Sequence, residues 1–296
     1  MVHNYNLRIK TVIAIIVIAM AACGGSGSGN SDTGNGSSNM TKEKHEKIIA
    51  SGYSDDLEWK IVGTTLIISG KGKMKAYALV DRPWYNYSND ITTLIIEDGV
   101  ENITERVFER FPKLTSVTIP NTVEFIGRRA FACCEKLKSI TIPSSVKIIR
   151  EEAFIGCTNL TSINVDENNT EYSAEDGVLF NKTKTTLICY PLSKINATYS
   201  IPNTVTKIEQ FAFAGNENLK SVIIPSSVEI IGENAFNTCG LTEVTNYAIS
   251  PQHSYGSIFE RTPIEQARLR VPADSKEAYK SATEWRRFAG IVAIDE

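Results

Sequence analysis

The apolar positions of this chain recur every 23 residues. Leu114 to Lys136 reads LTSVTIPNTVEFIGRRAFACCEK, and Leu137 to Asn159 reads LKSITIPSSVKIIREEAFIGCTN. Both lines place Leu first, apolar residues fourth and sixth, and Pro seventh. Val, Ile, Ala-Phe and Cys then follow in the same register. The fourth and sixth positions obey the two-residue alternation of a strand with one face turned inward. Proline ends that strand because it cannot donate to a ladder. Val and Ile, three apart, make a second short inward segment, and Ala-Phe packs a ring into each turn. A fixed period of this length is the signature of a solenoid, in which each unit contacts only its neighbours.

The register extends over residues 91–272. Ile91–Lys113 precedes the two lines above. Leu160–Lys182 keeps the first half of the pattern and changes the second. Thr183–Ile195 inserts 13 residues, with the apolar run Leu187-Ile188-Cys189-Tyr190 before Pro191. Asn196–Asn218 restores the pattern and Leu219–Gly240 repeats it. Leu241 opens a degraded unit, and Gln266 opens a half unit ending at Val271-Pro272. A solenoid has two open ends to cover. Residues 52–90 predict an N-terminal β cap, with a hairpin over Leu57–Gly70 and the aromatic cluster Trp84, Tyr85 and Tyr87. Residues 273–296 predict a helical C-terminal cap, opened by a capping box of Asp274 and Glu277. Ala278, Ala282 and Trp285 lie on its inner face.

The N-terminus follows another logic. Arg8 and Lys10 precede the apolar run Thr11–Ala22, which is too short to span a bilayer. Residues 1–22 read as an export signal peptide. Met20-Ala21-Ala22-Cys23 resembles the lipobox of bacterial lipoproteins, and that resemblance implies lipidation of Cys23 and a membrane anchor there. Residues 23–51 read as a flexible Gly/Ser tether, with a short helix over Thr41–Ala50.

The signature L-x-x-[IV]-x-I-P-x-x-[VI]-x-x-I-x-x-x-A-F-x-x-C stands almost entire at Leu137–Cys157 and Leu219–Cys239. Leu114–Cys134 matches too, and Asn196–Asn216 matches with Asn for both Leu and Cys. These units resemble the BspA-like leucine-rich repeats of bacterial surface proteins. The resemblance covers about residues 52–296. It implies a repeat solenoid of short parallel strands and helical turns, with a binding or adhesion role toward host or matrix proteins.

Composition excludes little. The 296 residues are 42% hydrophobic and 22% charged, with a net charge of −3. That is no basic field for nucleic acid. The chain has three histidines, His3, His45 and His253, of which only His253 lies in the folded part, so a Ser/His/Asp or Cys/His site has no base. Cys134, Cys157 and Cys239 share one repeat position, and Cys133 precedes it by one. Core thiols, a Cys134–Cys157 bridge between adjacent coils, and a metal site all fit that placement, with CxxC spacing absent. Asp166-Glu167-Asn168-Asn169-Thr170-Glu171 is oxygen-rich but lacks the spacing of a calcium loop. No catalytic set, metal or cofactor is expected.

Candidate binding positions are the outward ones of the strands: Ser116, Thr118, Ser139, Thr141, Ser162, Asn164, Thr198 and Ser200. Arg268 and Arg270 extend this face. Trp84, Tyr85 and Tyr87 are the alternative, as a platform for a sugar. The chain therefore reads as a non-catalytic, lipid-anchored protein of a bacterial envelope, on the outer membrane, binding a protein or glycan. A glycan-processing accessory or a structural envelope component are the rival readings.

Overall fold

The computed structural model describes residues 47–254 and 256–295. The signal peptide, Cys23 and most of the tether lie outside the described residues.

Folding starts before the expected boundary at Gly52. Strand β1 (Ile48–Ser54) pairs antiparallel with β2 (Leu57–Val62), which pairs with β3 (Thr65–Gly70). The cap is thus three-stranded, and Ile48–Ala50 is strand where a helix was expected. Its β-branched isoleucines suit an extended chain. Gly52 sits opposite Trp59 across the strands, and a Cβ there would lie 3.0 Å from the indole. On its other side β3 pairs in parallel with the first solenoid strand, so it belongs to cap and solenoid alike.

Strand β4 (Gly72–Lys73) begins a ladder of short strands. Each coil then supplies one long and one short strand: β5 (Thr93–Ile96) with β6 (Val100–Ile103), β7 (Ser116–Thr118) with β8 (Phe125–Ile126), and β9 (Ser139–Ile142) with β10 (Ile148–Ile149). The short strands form one parallel ladder, β10-β8-β6-β4. Strand β11 (Ser162–Val165) pairs with β9. Leu94, Ile140 and Ile163 point inward and are buried.

A third ladder is made by the Ala-Phe turns, without strands. One position recurs there in the left-handed conformation: Arg106 (φ 55°), Arg129 (54°), Glu152 (59°), Phe211 (57°) and Asn234 (57°), with a second four residues on. Left-handed backbone is unfavourable for a residue with a Cβ, so the coil stack must impose it. The result is that the N–H groups in each turn point to the next coil. Phe108 N donates to Ala130 O (3.0 Å), Phe131 N to Ala153 O (2.9 Å), and Phe213 N to Ala235 O (2.8 Å). This ladder is polar, with carbonyls toward the N-terminal cap and N–H groups toward the C-terminal one. Its rings stack at 5.8 Å (Trp84–Phe108), 5.7 Å (Phe108–Phe131) and 6.1 Å (Phe131–Phe154).

The repeat is interrupted after β11, over a wider stretch than residues 183–195. The chain leaves the coil at β12 (Tyr172–Glu175), turns into β13 (Val178–Asn181), and pairs antiparallel with β14 (Thr186–Cys189). Then β15 (Thr198–Ser200) and β16 (Lys207–Ile208) restart the pattern, followed by β17 (Ser221–Ile224), β18 (Ile230–Ile231), β19 (Glu243–Asn246) and β20 (Arg268–Val271). Strand β14 joins the restarted short ladder through β16. Among the described residues, β11 and β15 do not pair. The buried core divides here into two clusters, with Leu179 in the first and Val178 and Phe180 in the second.

The C-terminal cap carries the expected helix, but a short one without its capping box. Helix α1 (Lys276–Ser281) has only six residues, Ser275 precedes it without a capping side chain, and Glu277 pairs with Lys280 (2.7 Å). The Asp274/Glu277 box does not form because the 3-10 turn Ala273–Ser275 takes up the residues it needs. Tyr279, Trp285 and Phe288 are buried against Phe259. Ile291 and Val292 lie in β21 (Gly290–Ala293), which adds a parallel rung to β20.

Candidate binding site

The outward positions of the long strands form two rows on each sheet. In the first sheet, Thr65, Thr93 and Ser116 are paired in one row, and Ser139 pairs with Ser162 on a neighbouring two-stranded sheet of β9 and β11. Beside them Thr118, Thr141 and Asn164 are exposed. Thr65 and Thr93 extend the row beyond the residues picked out from sequence, although Thr93 occupies the same repeat position as Ser116. Ser162 is only half-exposed, because the β12–β13 turn folds over it: a Cβ on Gly177 would fall 2.7 Å from Ser162 Cβ. Ile163 N donates to Gly177 O at 2.9 Å.

Thr198 and Ser200 are exposed but belong to the sheet of β15. The eight candidate positions therefore lie on three sheets: that of β7, that of β9 and β11, and that of β15. On the sheet of β15 the rows continue as Ser221, Glu243 and Arg268, and as Ile223, Thr245 and Arg270. Arg270 Nε donates to Glu243 Oε2 at 3.0 Å. Ser221, Glu243 and Arg268 border a shallow depression. This end of the protein offers charge where the first sheet offers hydroxyls.

The aromatic alternative is not an open platform. Trp84 is 2% exposed, stacked on Phe108, and donates Nε1–H to Val107 O (3.3 Å). Tyr87 packs against the core, and Tyr85 alone is exposed. The buried neighbour Arg82 donates Nη1 to the carbonyls of Arg106 (3.2 Å), Val107 (3.1 Å) and Glu109 (2.8 Å). Burial lowers its pKa, and Glu109 opposes that shift. Arg82 thus covers the carbonyl end of the turn ladder. Glu284 covers the other end, its Oε2 accepting from Ile258 N (3.1 Å) and Ser257 Oγ (3.0 Å).

The cysteine position proves to be a donor position. Cys134, Cys157 and Cys239 point Sγ at the carbonyls of Phe108 (3.3 Å), Phe131 (3.1 Å) and Phe213 (3.1 Å). Asn216 does the same to Tyr190 O (3.3 Å), and Thr262 to Phe236 O. Each donor lies 26 residues after its acceptor. Cys, Asn and Thr interchange here because each supplies a compact donor to a buried carbonyl. The five described cysteines are free thiols, and Cys134 and Cys157 are not bridged. Burial holds the Cys134 thiol well above its ordinary pKa and pushes Cys239 up to about 12.

No group of three His, Cys, Asp or Glu among the described residues is placed to hold a metal. His253 is exposed. In the oxygen-rich stretch, Asn169 is buried. It donates to Pro143 O (2.7 Å) and Val146 O (3.0 Å), and it accepts from Glu171 N (2.9 Å) and Tyr172 N (2.8 Å). That stretch builds the turn leaving β11.

A cleft opens at the interruption of the repeat. Its cavity of about 340 Å³ lies between Phe154 and Ile149 on one side and Ile188, Cys189 and Tyr190 on the other, with Tyr172 at one flank. Tyr190 begins the second ring stack, at 5.0 Å from Phe213. Sequence reasoning singled out the apolar run Leu187–Tyr190 but not the opening beside it.

Three comparisons with known proteins bear on this geometry. The family pattern described as "BspA type Leucine rich repeat region" matches residues 80–198 and 188–273 in 6 copies. No curated protein matches the chain. Among solved structures, a leucine-rich repeat protein from Eubacterium ventriosum is 22% identical, over 81% of this chain and 83% of its own, with a TM-score of 0.49. A leucine-rich repeat protein from Bacteroides ovatus is 17% identical, over 84% of this chain and 76% of its own, at 0.45. A leucine-rich cell surface protein from Faecalibacterium prausnitzii is 20% identical, over 83% and 95%, at 0.35.

Proposed function

Because this chain belongs to the BspA type leucine-rich repeat family, we propose that it is a non-catalytic scaffold of a bacterial envelope that docks another macromolecule on its strand face. The partner class is a protein of the host or its matrix. The observation that carries this reading is the open strand face of Ser116 and Ser139, with Thr118, Thr141 and Asn164 beside them. These short hydroxyl and amide side chains offer hydrogen bonds over several coils and lose little rotamer freedom when a partner orders them. The charged rows ending in Arg268 and Arg270 add a second surface.

The anchor is part of the proposal and rests on Met20-Ala21-Ala22-Cys23. A lipid on Cys23, together with the Gly/Ser tether, would hold the solenoid off the outer membrane. Whether it faces outward decides whether it meets a host partner. The glycan reading keeps Tyr85 but loses Trp84, whose ring is covered.

The test combines two measurements. Matrix proteins and a glycan array are screened for binding to the full chain, and whole cells are shaved with protease. A protein hit abolished by changing Ser139 and Thr141 supports the reading. A glycan hit lost in Tyr85→Ala replaces it by the sugar-binding one. A chain that resists shaving and binds neither class is a structural envelope component.

A further inference from the structure

The cleft beside Phe154 exposes an unfinished rung of the turn ladder. In the coil before it, Arg129, Phe131 and Cys133 donate their N–H groups to the carbonyls of Glu151, Ala153 and Ile155. One period on, the N–H groups of Glu152, Phe154 and Gly156 have no hydrogen-bond acceptor among the described residues. The left-handed conformations at Glu152 (φ 59°) and Gly156 (φ 72°) keep these donors turned the same way. Glu152 and Phe154 line the cavity, and backbone N–H groups left there without partners can be met by an anion. The ring stack stops at the same place. Within each half, rings follow one another at 4.7 to 6.1 Å, whereas Phe154 and Tyr190, the rings that end the two stacks, both line the cavity.

We infer that this cleft captures the C-terminal carboxylate of a peptide whose last residue is aromatic. The carboxylate accepts from the wall of N–H groups, and the ring continues the stack between Phe154 and Tyr190. Capture of a chain terminus by a backbone concavity is an established mode of peptide recognition. The cavity of about 340 Å³ suits one or two terminal residues, at the small end of ligand pockets. Side-chain charge does not favour an anion here, so its capture rests on the backbone N–H groups. Glu152 is paired with Arg128 and Arg129, and Glu209 with Lys207, which leaves Arg150 against Glu151 and Glu171 near the mouth. The site lies on a different ladder from the strand face and does not depend on what that face binds.

The experiment is amide hydrogen exchange on the full chain with three probes: acetyl-Gly-Gly-Phe, its C-terminal amide, and acetyl-Gly-Gly-Ala. The free-acid phenylalanine probe slows exchange across residues 150–157 by about tenfold at about ten times its Kd. The amide and the alanine probe each bind at least about tenfold more weakly, a difference of about 1.4 kcal/mol. Ile188→Trp fills the cleft and weakens the first probe by at least about tenfold. The comparison of probes stands even if that variant does not fold. Absence of slowing at 150–157, equal binding of acid and amide, or equal binding of phenylalanine and alanine overturns the inference. Slowing by N-acetylglucosamine instead of any peptide overturns it in favour of a sugar site.

Discussion

Arg82 and Glu284 terminate the same kind of backbone ladder with opposite charges. Arg82 donates to three carbonyls at one end, and Glu284 accepts from an N–H at the other. Both caps follow from the single polarity of the Ala-Phe turns. Arg82→Met takes a donor from three carbonyls, of which Val107 O keeps Trp84 Nε1 and Arg106 O keeps Glu109 N, so the Glu109 carbonyl is the one left bare; the change destabilises the protein by about 1–3 kcal/mol, read as a lower urea midpoint. Arg82→Lys recovers only part of this, because an ammonium cannot reproduce the planar fork of the guanidinium.

Cys239→Thr tests the donor position. Thr262 already fills that place in the next coil, so the substitution changes stability by less than about 1 kcal/mol in chemical denaturation. Cys239→Ala removes the Sγ donor from the Phe213 carbonyl, which still accepts from Asn216 N and Nδ2, and empties the space of the buried sulfur, at a cost of about 1–3 kcal/mol. Equal costs for the two would return this position to simple space-filling.

The buried thiols set an alkaline limit. Burial raises Cys189 and Cys239 to about 12 in the folded chain, against about 8.5 when unfolded. A raised folded pKa means that the unfolded chain loses its protons first. Stability is full below about 8.5 and falls as pH rises from there toward 12. Urea midpoints measured from pH 7 to 10.5 decline, and Cys239→Thr declines less.

Asn169→Ala removes two donated and two accepted hydrogen bonds at a fully buried site. It costs about 2–4 kcal/mol and loosens the turn that leaves β11. Limited proteolysis then cuts the chain between residues 166 and 176 before the coils on either side.

Ser139→Arg with Thr141→Glu leaves the thermal midpoint within about 3 °C of the parent, since both side chains are exposed surface. It lowers the affinity for a strand-face partner by at least about tenfold, measured by surface plasmon resonance. A partner indifferent to this pair binds elsewhere.

The apolar register was enough to find the long strands. Leu-x-x-Val-x-Ile-Pro predicts where β7 and β9 lie because inward alternation and a closing proline leave few other solutions. The third ladder was not legible. Its left-handed residues are Arg106, Arg129, Glu152 and Phe211, none of which has the composition that ordinarily marks that conformation, because coil stacking imposes it. The donor role of Cys134 was hidden for a related reason: only the acceptor, a carbonyl 26 residues back, explains why Asn216 and Thr262 are its equivalents. The break was seen as an insertion of residues 183–195. That apolar run does become β14 and Tyr190; the changed second half of Leu160–Lys182 marks the departure at Tyr172, eleven positions earlier, but not the antiparallel pairing it makes with β13. Trp84 looked equally suited to cap and platform, and only its contacts with Phe108 and Val107 O separate the two.

The polarity of the turn ladder also bears on how copies of this protein avoid one another. An end lined with carbonyls and an end lined with N–H groups are complementary, and contacts of that head-to-tail kind do not close on themselves but propagate into filaments. Arg82 and Glu284 occupy those ends from within the chain. Each copy thus meets its own end groups with its own side chains, and less of either end is left for another copy.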